Sequence, residues 1–204
     1  MTSAYRIVKD FEESISEFTG SKYTVCVESC TAALFLCCKY CRISSFPEIS
    51  IPKFTYPSVP CQIIHAGGRI NFADVDWQKK GYYYLGPTYI ADCAKIFKRG
   101  MYISKSFMCL SFHGKKALKI GRGGAILTDD KEAVEWFKCA RFDGRHEKTL
   151  MEDTLSMVGW NMYMSPTQAA RGLELMQFIG DGLIMPEDEY QDLSKYEMYT
   201  EANR

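Results

Sequence analysis

Short apolar runs alternate along this chain with segments of helical periodicity, and this alternation limits the possible folds more than any other feature. The runs YTVCVE (23–28) and EISIPK (48–53) are strand-like, and each precedes a predicted helix, which begins near Ser29 and about Pro57 respectively. Regular alternation of strands and helices is typical of an open, mostly parallel sheet with helices on both faces. The sequence therefore predicts an α/β fold. Further strands are predicted at 69–76, 106–113 and 123–130.

Three more segments carry helix signals. Apolar residues recur at three- and four-residue steps from Tyr5 to Phe18, and Gly20 follows as a stop. The segment 131–142 follows two aspartates that can cap a helix, and Ser165 with Pro166 begins a last helix. Asp and Ser side chains can accept a hydrogen bond from a free backbone N–H group at the start of a helix, and Pro has no N–H group that needs a partner.

The charge balance excludes several classes of function. The 25 Lys and Arg residues equal the 25 Asp and Glu residues, so no overall field attracts nucleic acid or an anionic membrane. No run approaches the roughly 18 apolar residues of a membrane span, and the first residues carry charges where a signal peptide needs an apolar core. The sequence predicts a cytoplasmic protein without a nucleic-acid or membrane partner.

The nine cysteines favour reduced core thiols. Their number is odd, and the one C-x-x-C pair, Cys38 and Cys41, lies in an apolar stretch without a second pair to complete a tetrahedral site. No metal is predicted, and a cysteine metal site remains a minor alternative.

Polar side chains fall where predicted strands end, which is where ligands gather in such sheets. These positions are Ser29 to Thr31, Tyr56, Asp74 to Asp76, and Asp92. Taken singly, each has an ordinary explanation: a helix cap, a packing aromatic or a turn residue. Lys116, in a loop between two strands, could likewise be a solvated charge.

Order and spacing change this interpretation, because together the motifs resemble those of the DegT/DnrJ/StrS-type sugar aminotransferases. The resemblance extends from about residue 10 to 176. The motifs that carry it are EFTGSKY (17–23), SCTAAL (29–34), PKFTY (52–56), ADCAKIF (91–97), SFHGKK (111–116), GRGGA (121–125) and GWNMYMSPTQAA (159–170).

The resemblance implies a compact version of the large domain of fold-type I pyridoxal-phosphate enzymes, with pyridoxal 5′-phosphate as cofactor. The family's cofactor-bearing lysine lies five residues after the serine of SFHGKK, which selects Lys116 over Lys115. Lys116 and Asp92 are then the catalytic residues, with Asp92 on the pyridine nitrogen. The resemblance implies a homodimer in which Asn161 reaches the neighbouring site. The implied cofactor-binding residues are Ser29, Cys30, Thr31, Tyr56, Asp92, Lys95, Ser111, Lys116 and Asn161.

The chain also departs from the family pattern. Cys30 replaces a glycine, Lys95 a glutamine or histidine, and Tyr163 an arginine. The segment 77–89 is compressed, and the family's C-terminal small domain is expected to be missing. We predict one domain over 1–180 and a tail over 181–204 that is either helical or partly disordered.

These residues predict transfer of an amino group, with glutamate as donor, to a keto group of a nucleotide-linked sugar. The retained lysine argues against the family's dehydratases, which carry histidine there. The alternative is a degenerate, non-catalytic member that serves as a binding or assembly protein, which the missing domain, Cys30 and Tyr163 would explain.

Overall fold

The computed structural model describes residues 5–201, and the predicted strands and helices are present. The first four residues of the predicted domain and the last three of the predicted tail lie outside this range. The strands are β1 (Tyr23–Val27), β2 (Ile49–Pro52), β3 (Ile70–Ala73), β4 (Tyr83–Tyr84), β5 (Ile90–Asp92), β6 (Ile96–Lys98), β7 (Phe107–Ser111), β8 (Gly124–Thr128) and β9 (Gly182–Ile184). The helices are α1 (Arg6–Thr19), α2 (Cys30–Tyr40), α3 (Ser58–His65), α4 (Lys131–Ala140), α5 (Pro166–Met176) and α6 (Glu197–Glu201), with 3₁₀ turns at Ile43–Ser45 and Leu193–Lys195.

Side-chain caps start three of these helices where the sequence predicts. Ser29 accepts a hydrogen bond from the Ala32 N–H at the start of α2, and Asp130 caps α4. Ser165 forms a reciprocal capping box with Gln168 at the start of α5. At the end of α1, Gly20 adopts a φ of 77°, a left-handed conformation that glycine reaches without strain.

The main sheet is open and mixed, in the order β1-β8-β7-β5-β4. The predicted α/β architecture is confirmed, but the strand directions differ from a mostly parallel sheet: only β5 and β7 pair parallel here. The reason lies between β7 and β8, where residues 112–123 contain no helix. Parallel neighbours need a long crossover, so strands joined by a loop return antiparallel.

The compressed segment joins two sheets. β2 and β3 form a separate parallel pair, while β4 lies at the edge of the main sheet. Just after β4, Gly86 exchanges backbone hydrogen bonds of 2.7 and 3.0 Å with Ser50 of β2. The segment therefore links the main sheet to the smaller one, where the sequence indicates only a shortened connection.

Helices cover both faces of the main sheet. On one face α2, α3 and α4 enclose a core that includes Leu36, Ile126 and Phe137. On the other face α1 and α5 pack together, and the core there includes Phe11 of α1 and Phe112. All nine cysteines are free thiols, and seven of them are buried. Among residues 5–201, no helix combines the length and apolarity needed to cross a bilayer.

Candidate active site

A cavity of about 620 Å³ opens at one edge of the main sheet, where β1, β5 and β7 all end. These three strands run in the same direction, because β1 and β7 are both antiparallel to β8 and β5 is parallel to β7. Their carboxyl ends therefore meet. Seven predicted site residues line the cavity: Ser29, Cys30, Thr31, Tyr56, Asp92, Ser111 and Lys116.

The turn from β1 into α2 presents backbone donors to this cavity. Ser29 uses its hydroxyl oxygen to cap Ala32, with an oxygen–nitrogen distance of 3.1 Å. The N–H groups of Cys30 and Thr31 precede the first intrahelical hydrogen bonds, and such groups favour an anion. Gly124 lies directly behind the turn: a Cβ there would be only 2.4 Å from the Ser29 carbonyl carbon. This close approach explains the glycine at the start of β8.

Cys30 directs its sulfur away from the turn and into the core. Its Sγ lies 3.4 Å from the Cys109 carbonyl oxygen and 3.9 Å from Asp92 Oδ1. Burial, together with the nearby Asp92 charge, raises the pKa of the Cys30 thiol well above its ordinary value. The side chain that replaces the family's glycine is thus a protonated, weak hydrogen-bond donor, with the Cys109 carbonyl oxygen nearer than Asp92, and not a nucleophile.

Asp92 ends β5 as a buried carboxylate with several donors. Oδ1 accepts from the Ala94 N–H at 2.9 Å, and Oδ2 accepts from the Tyr83 hydroxyl at 3.0 Å. Burial raises the pKa of Asp92, while the hydrogen bonds from Ala94 and Tyr83 and the positive charge of Lys116 act in the opposite direction. The carboxylate is 5% exposed, and it is fixed at the wall of the cavity.

Lys116 lies in the loop between β7 and β8, as the sequence predicts, and its backbone N–H donates to the His113 carbonyl oxygen at 2.8 Å. Within residues 5–201 its amine makes no hydrogen bond or ion pair, and the side chain is half-buried. Its charge is close enough to lower the pKa of Asp92. The amine and the carboxylate therefore share one cavity, as the sequence predicts. Lys115 also lines this cavity.

Two predicted cofactor-binding residues lie elsewhere. Lys95 is buried and its Nζ contacts Gln78 Oε1 at 3.0 Å and Asp188 Oδ2 at 3.1 Å. Asn161 is exposed and donates from Nδ2 to Asp143 Oδ2 at 3.0 Å. Neither belongs to the cavity wall. In this chain Lys95 therefore holds the C-terminal tail, and the role of Asn161 at a neighbouring site stays a prediction.

The tail supplies a continuous part of the cavity wall that the sequence does not predict, and a few wall residues outside the tail are not predicted either. Residues 182–184 pair with β6, and the chain then crosses the mouth of the cavity. No motif or periodicity marks this segment. Arg122 lies within a motif of the resemblance, GRGGA, but was not selected. The wall residues missed include Thr55, Trp77, Arg122, Met185, Asp188, Glu189, Tyr190, Gln191 and Leu193.

The donor set fits pyridoxal phosphate. A buried carboxylate suits a protonated pyridine nitrogen, an amine that has no partner among the described residues suits attachment, and a helix start beside a cationic side chain suits a phosphate. Arg122, which lines the cavity and pairs with Glu28 next to the turn, supplies that positive charge. The cavity volume lies within the range of small-molecule sites.

Comparisons with known proteins agree with this geometry. The model of the DegT/DnrJ/EryC1/StrS aminotransferase family matches residues 1–91 and 99–182. The spore coat polysaccharide biosynthesis protein SpsC of Bacillus subtilis is 26% identical, over 78% of this chain and 48% of that protein. GDP-perosamine synthase of Escherichia coli O157:H7 is 24% identical, over 96% of this chain and 64% of that protein.

The fold agrees as well. The solved structure of Spr1654 from Streptococcus pneumoniae in its PLP-form superposes with a TM-score of 0.69 at 18% identity, over 84% of this chain and 59% of that one. The chain thus spans about half to two thirds of the length of these relatives. Because the family model covers most of the sequence, the chain belongs to the DegT/DnrJ/EryC1/StrS aminotransferase family.

Proposed function

We propose that this protein is a pyridoxal-phosphate-dependent aminotransferase that transfers an amino group, with glutamate as donor, to a keto group of a nucleotide-linked sugar. One observation carries the proposal: Lys116 and Asp92 line the same cavity and interact electrostatically. Family membership and the relative described as GDP-perosamine synthase support the sugar substrate. Free thiols support a reducing compartment, the cytoplasm.

The residues divide the chemistry between them. When bound, pyridoxal phosphate supplies an electron sink for charge that develops at the reacting carbon. Lys116 would hold the cofactor through Nζ until the amino group of the donor displaces it, and the freed amine would then take a proton from the carbon bearing the amino group and return one as an acid. Asp92 holds the proton on the ring nitrogen. Since the carboxylate is buried and already oriented, no reorganisation is needed when the ring binds.

The remaining wall residues position the cofactor. Tyr56 is 62% exposed and available to stack on the ring. The Ser29–Thr31 turn, with Ser111, is assigned to the phosphate, and Arg122 adds positive charge at this end. Arg122 also pairs with Glu28 at 2.7 Å, which limits its movement.

We propose a homodimer with shared sites. Asn161 is exposed and does not line its own cavity, which suits a residue that serves a neighbouring one. Close to it in sequence, four apolar side chains are 69% to 96% exposed, and a second chain would cover them. They are Leu150, Met151, Leu155 and Val158.

The test is covalent labelling. Purified protein mixed with pyridoxal phosphate and reduced with borohydride should keep one cofactor per chain, attached at Lys116 by peptide mass analysis. Lys116→Ala should lose the label and about 10³-fold or more of any transaminase rate, the scale of general acid–base catalysis. Lys115→Ala is the matched control and should keep the label.

Absence of label from wild-type protein would reject the enzyme and favour a non-catalytic binding or assembly protein. If the label forms, incubation with glutamate and a panel of keto-sugar nucleotides identifies the acceptor. Loss of label only in Lys115→Ala would overturn the assignment of Lys116.

A further inference from the structure

The buried side of Asp92 carries a hydrogen-bond chain that no sequence motif indicates. The Tyr83 hydroxyl donates to Asp92 Oδ2 at 3.0 Å, and its oxygen lies 2.5 Å from Thr55 Oγ1. Because the Tyr83 proton is used toward Asp92, Thr55 is the donor of the second bond. The order is therefore Thr55 to Tyr83 to Asp92.

All three members of this chain are buried. Thr55 is 1% exposed, and Tyr83 and Asp92 are each 5% exposed. Burial, with the adjacent Asp92 charge, raises the pKa of the Tyr83 hydroxyl well above its ordinary value, so the phenol keeps its proton and remains a donor. Hydrogen bonds between buried groups are shielded from water and are costly to break.

The surrounding packing fixes the tyrosine. The Trp77 and Tyr83 rings meet edge-on, with their centroids 4.8 Å apart. The Trp77 indole N–H donates to the Phe54 carbonyl oxygen at 2.9 Å. On the backbone, Tyr83 of β4 is paired with Asp92 of β5. Trp77 and Tyr83 both belong to the compressed segment, so the shortened connection brings this donor to Asp92.

We propose that Tyr83, oriented by Thr55, is a positioning residue that fixes the Asp92 carboxylate and keeps it ionised for the ring nitrogen of the cofactor. The inference rests on the proposed function for the role of Asp92. Cys30 and Ala94 hold Oδ1, and Tyr83 is the side chain that holds Oδ2. Without it, burial would favour the neutral acid, which cannot keep a pyridine nitrogen protonated.

The first test needs no cofactor. Carboxyl ¹³C NMR of the full chain, with the Asp92 signal assigned by its loss in Asp92→Asn, measures the Asp92 pKa directly. Tyr83→Phe removes a donor to the carboxylate and should raise this pKa by about one unit, the value of one hydrogen bond. Thr55→Val should raise it by less, and Thr55→Ser should restore it. Tyr82→Phe, which changes a neighbouring tyrosine without a hydrogen bond to Asp92, should not move it.

An unchanged Asp92 pKa in folded Tyr83→Phe overturns the inference. If Tyr83→Phe does not fold, the Asp92 pKa is compared between Thr55→Val and Thr55→Ser. Equal values in these two variants overturn the inference. A second readout is the dissociation constant for pyridoxal phosphate, which should rise about tenfold in Tyr83→Phe at neutral pH. Wild-type protein that fails to bind pyridoxal phosphate rejects the proposed function, whereas the titration still measures the Tyr83 contact separately.

Discussion

The cavity has two walls of different physical construction. The sheet wall comprises the Ser29–Thr31 turn, Asp92 and the loop 111–116, and it is continuous with the buried core. The tail wall comprises residues 185–193, which cross the mouth of the cavity. In the sheet wall Asp92 is 5% exposed, whereas the Asp188 side chain in the tail wall is 54% exposed.

Different contacts hold the two walls. Backbone pairing across β1, β8, β7 and β5 holds the sheet wall. The tail wall depends on fewer contacts: the buried Lys95 amine pairs with Asp188, and Gln78 accepts from Lys95 Nζ and from the Asp188 N–H, while Leu193 is buried and Tyr190 packs against the core. Local opening is cheapest where few apolar contacts must break. The sheet wall should therefore open only on global unfolding, while the tail wall can open alone.

The largest expected effect is on the sheet wall. Gly124→Ala places a Cβ 2.4 to 2.7 Å from backbone atoms of Ser29 and Cys30, so the turn must move. Such overpacking costs about 3 kcal/mol of the free energy of unfolding. Chemical denaturation should show this loss, and pyridoxal phosphate should bind more weakly because the displaced turn holds the phosphate.

Gly114→Ala is the control in the same part of the structure. An added Cβ would find its nearest neighbour, the Gly121 Cα, at 3.8 Å, which is ordinary contact. The free energy of unfolding should change by less than about 0.5 kcal/mol. Equal losses in the two variants would contradict the close packing of the turn on β8.

The next effect breaks the tail wall. Asp188→Asn leaves the Lys95 ammonium buried without its counter-charge, and because the Asp188 side chain is half exposed the change costs about 1 kcal/mol. The loss should appear in native-state hydrogen exchange as lower protection of the Met185 N–H, which donates to the Lys95 carbonyl oxygen. The amides of β7 should keep their protection.

Lys95→Met tests the same ion pair by removing its cationic member. It removes the buried charge together with the pair and keeps an apolar stem, so it should reduce tail protection less than Asp188→Asn does. A larger loss in Lys95→Met would show that the lysine stabilises the tail by something other than pairing with Asp188.

The two walls also differ in how far the sequence predicted them. The residues of the sheet wall lie in the motifs of the family resemblance, whose order and spacing select Ser29, Asp92 and Lys116; taken singly, only the cap at Ser29 follows a local rule. The predicted helix starts and strands are present because they follow local rules, whereas β4, β6 and β9 are not among the predicted strands. Strand direction in β8 was missed, since it depends on the absence of a helix between two strands and not on the composition of either.

The tail wall could not be predicted from local pattern. Lys95, Gln78 and Asp188 are far apart in sequence, and each is an ordinary charged or polar residue on its own. The motif position of Lys95 predicts a cofactor contact, whereas in the structure a long-range partner holds its amine. Tyr83 was missed for the same reason, because its contact with Asp92 depends on the pairing of β4 with β5.

A smaller effect is expected from pH. Burial acts to raise the pKa of Asp188, but the hydrogen bond and charge of Lys95 outweigh it and lower this pKa below its ordinary value. A lowered folded-state pKa contributes stability that is present above the unfolded pKa of about 3.9 and is lost as pH falls through the folded value. The protection factor of the Met185 amide should therefore fall below about pH 4 by an amount equivalent to about 0.2 to 1 kcal/mol. Asp188→Asn should abolish this fall, and its persistence there would assign it to another group.

The smallest effect is expected from a second, exposed ion pair of the tail. Arg99 Nε lies 3.2 Å from Asp181 Oδ1, and the two side chains are 62% and 89% exposed. Water screens such a pair, so Asp181→Asn should cost less than about 0.5 kcal/mol, and less again at high salt. The Arg99 N–H still donates to the residue 181 carbonyl oxygen at 3.0 Å, and the guanidinium still lies over the Phe18 ring, so the tail stays attached there.

Hydrogen exchange on Asp181→Asn and Asp188→Asn separates two causes of tail stability. If both variants lose protection equally, charge pairing in general holds the tail; if only Asp188→Asn does, the burial of the Lys95 ammonium closes the cavity.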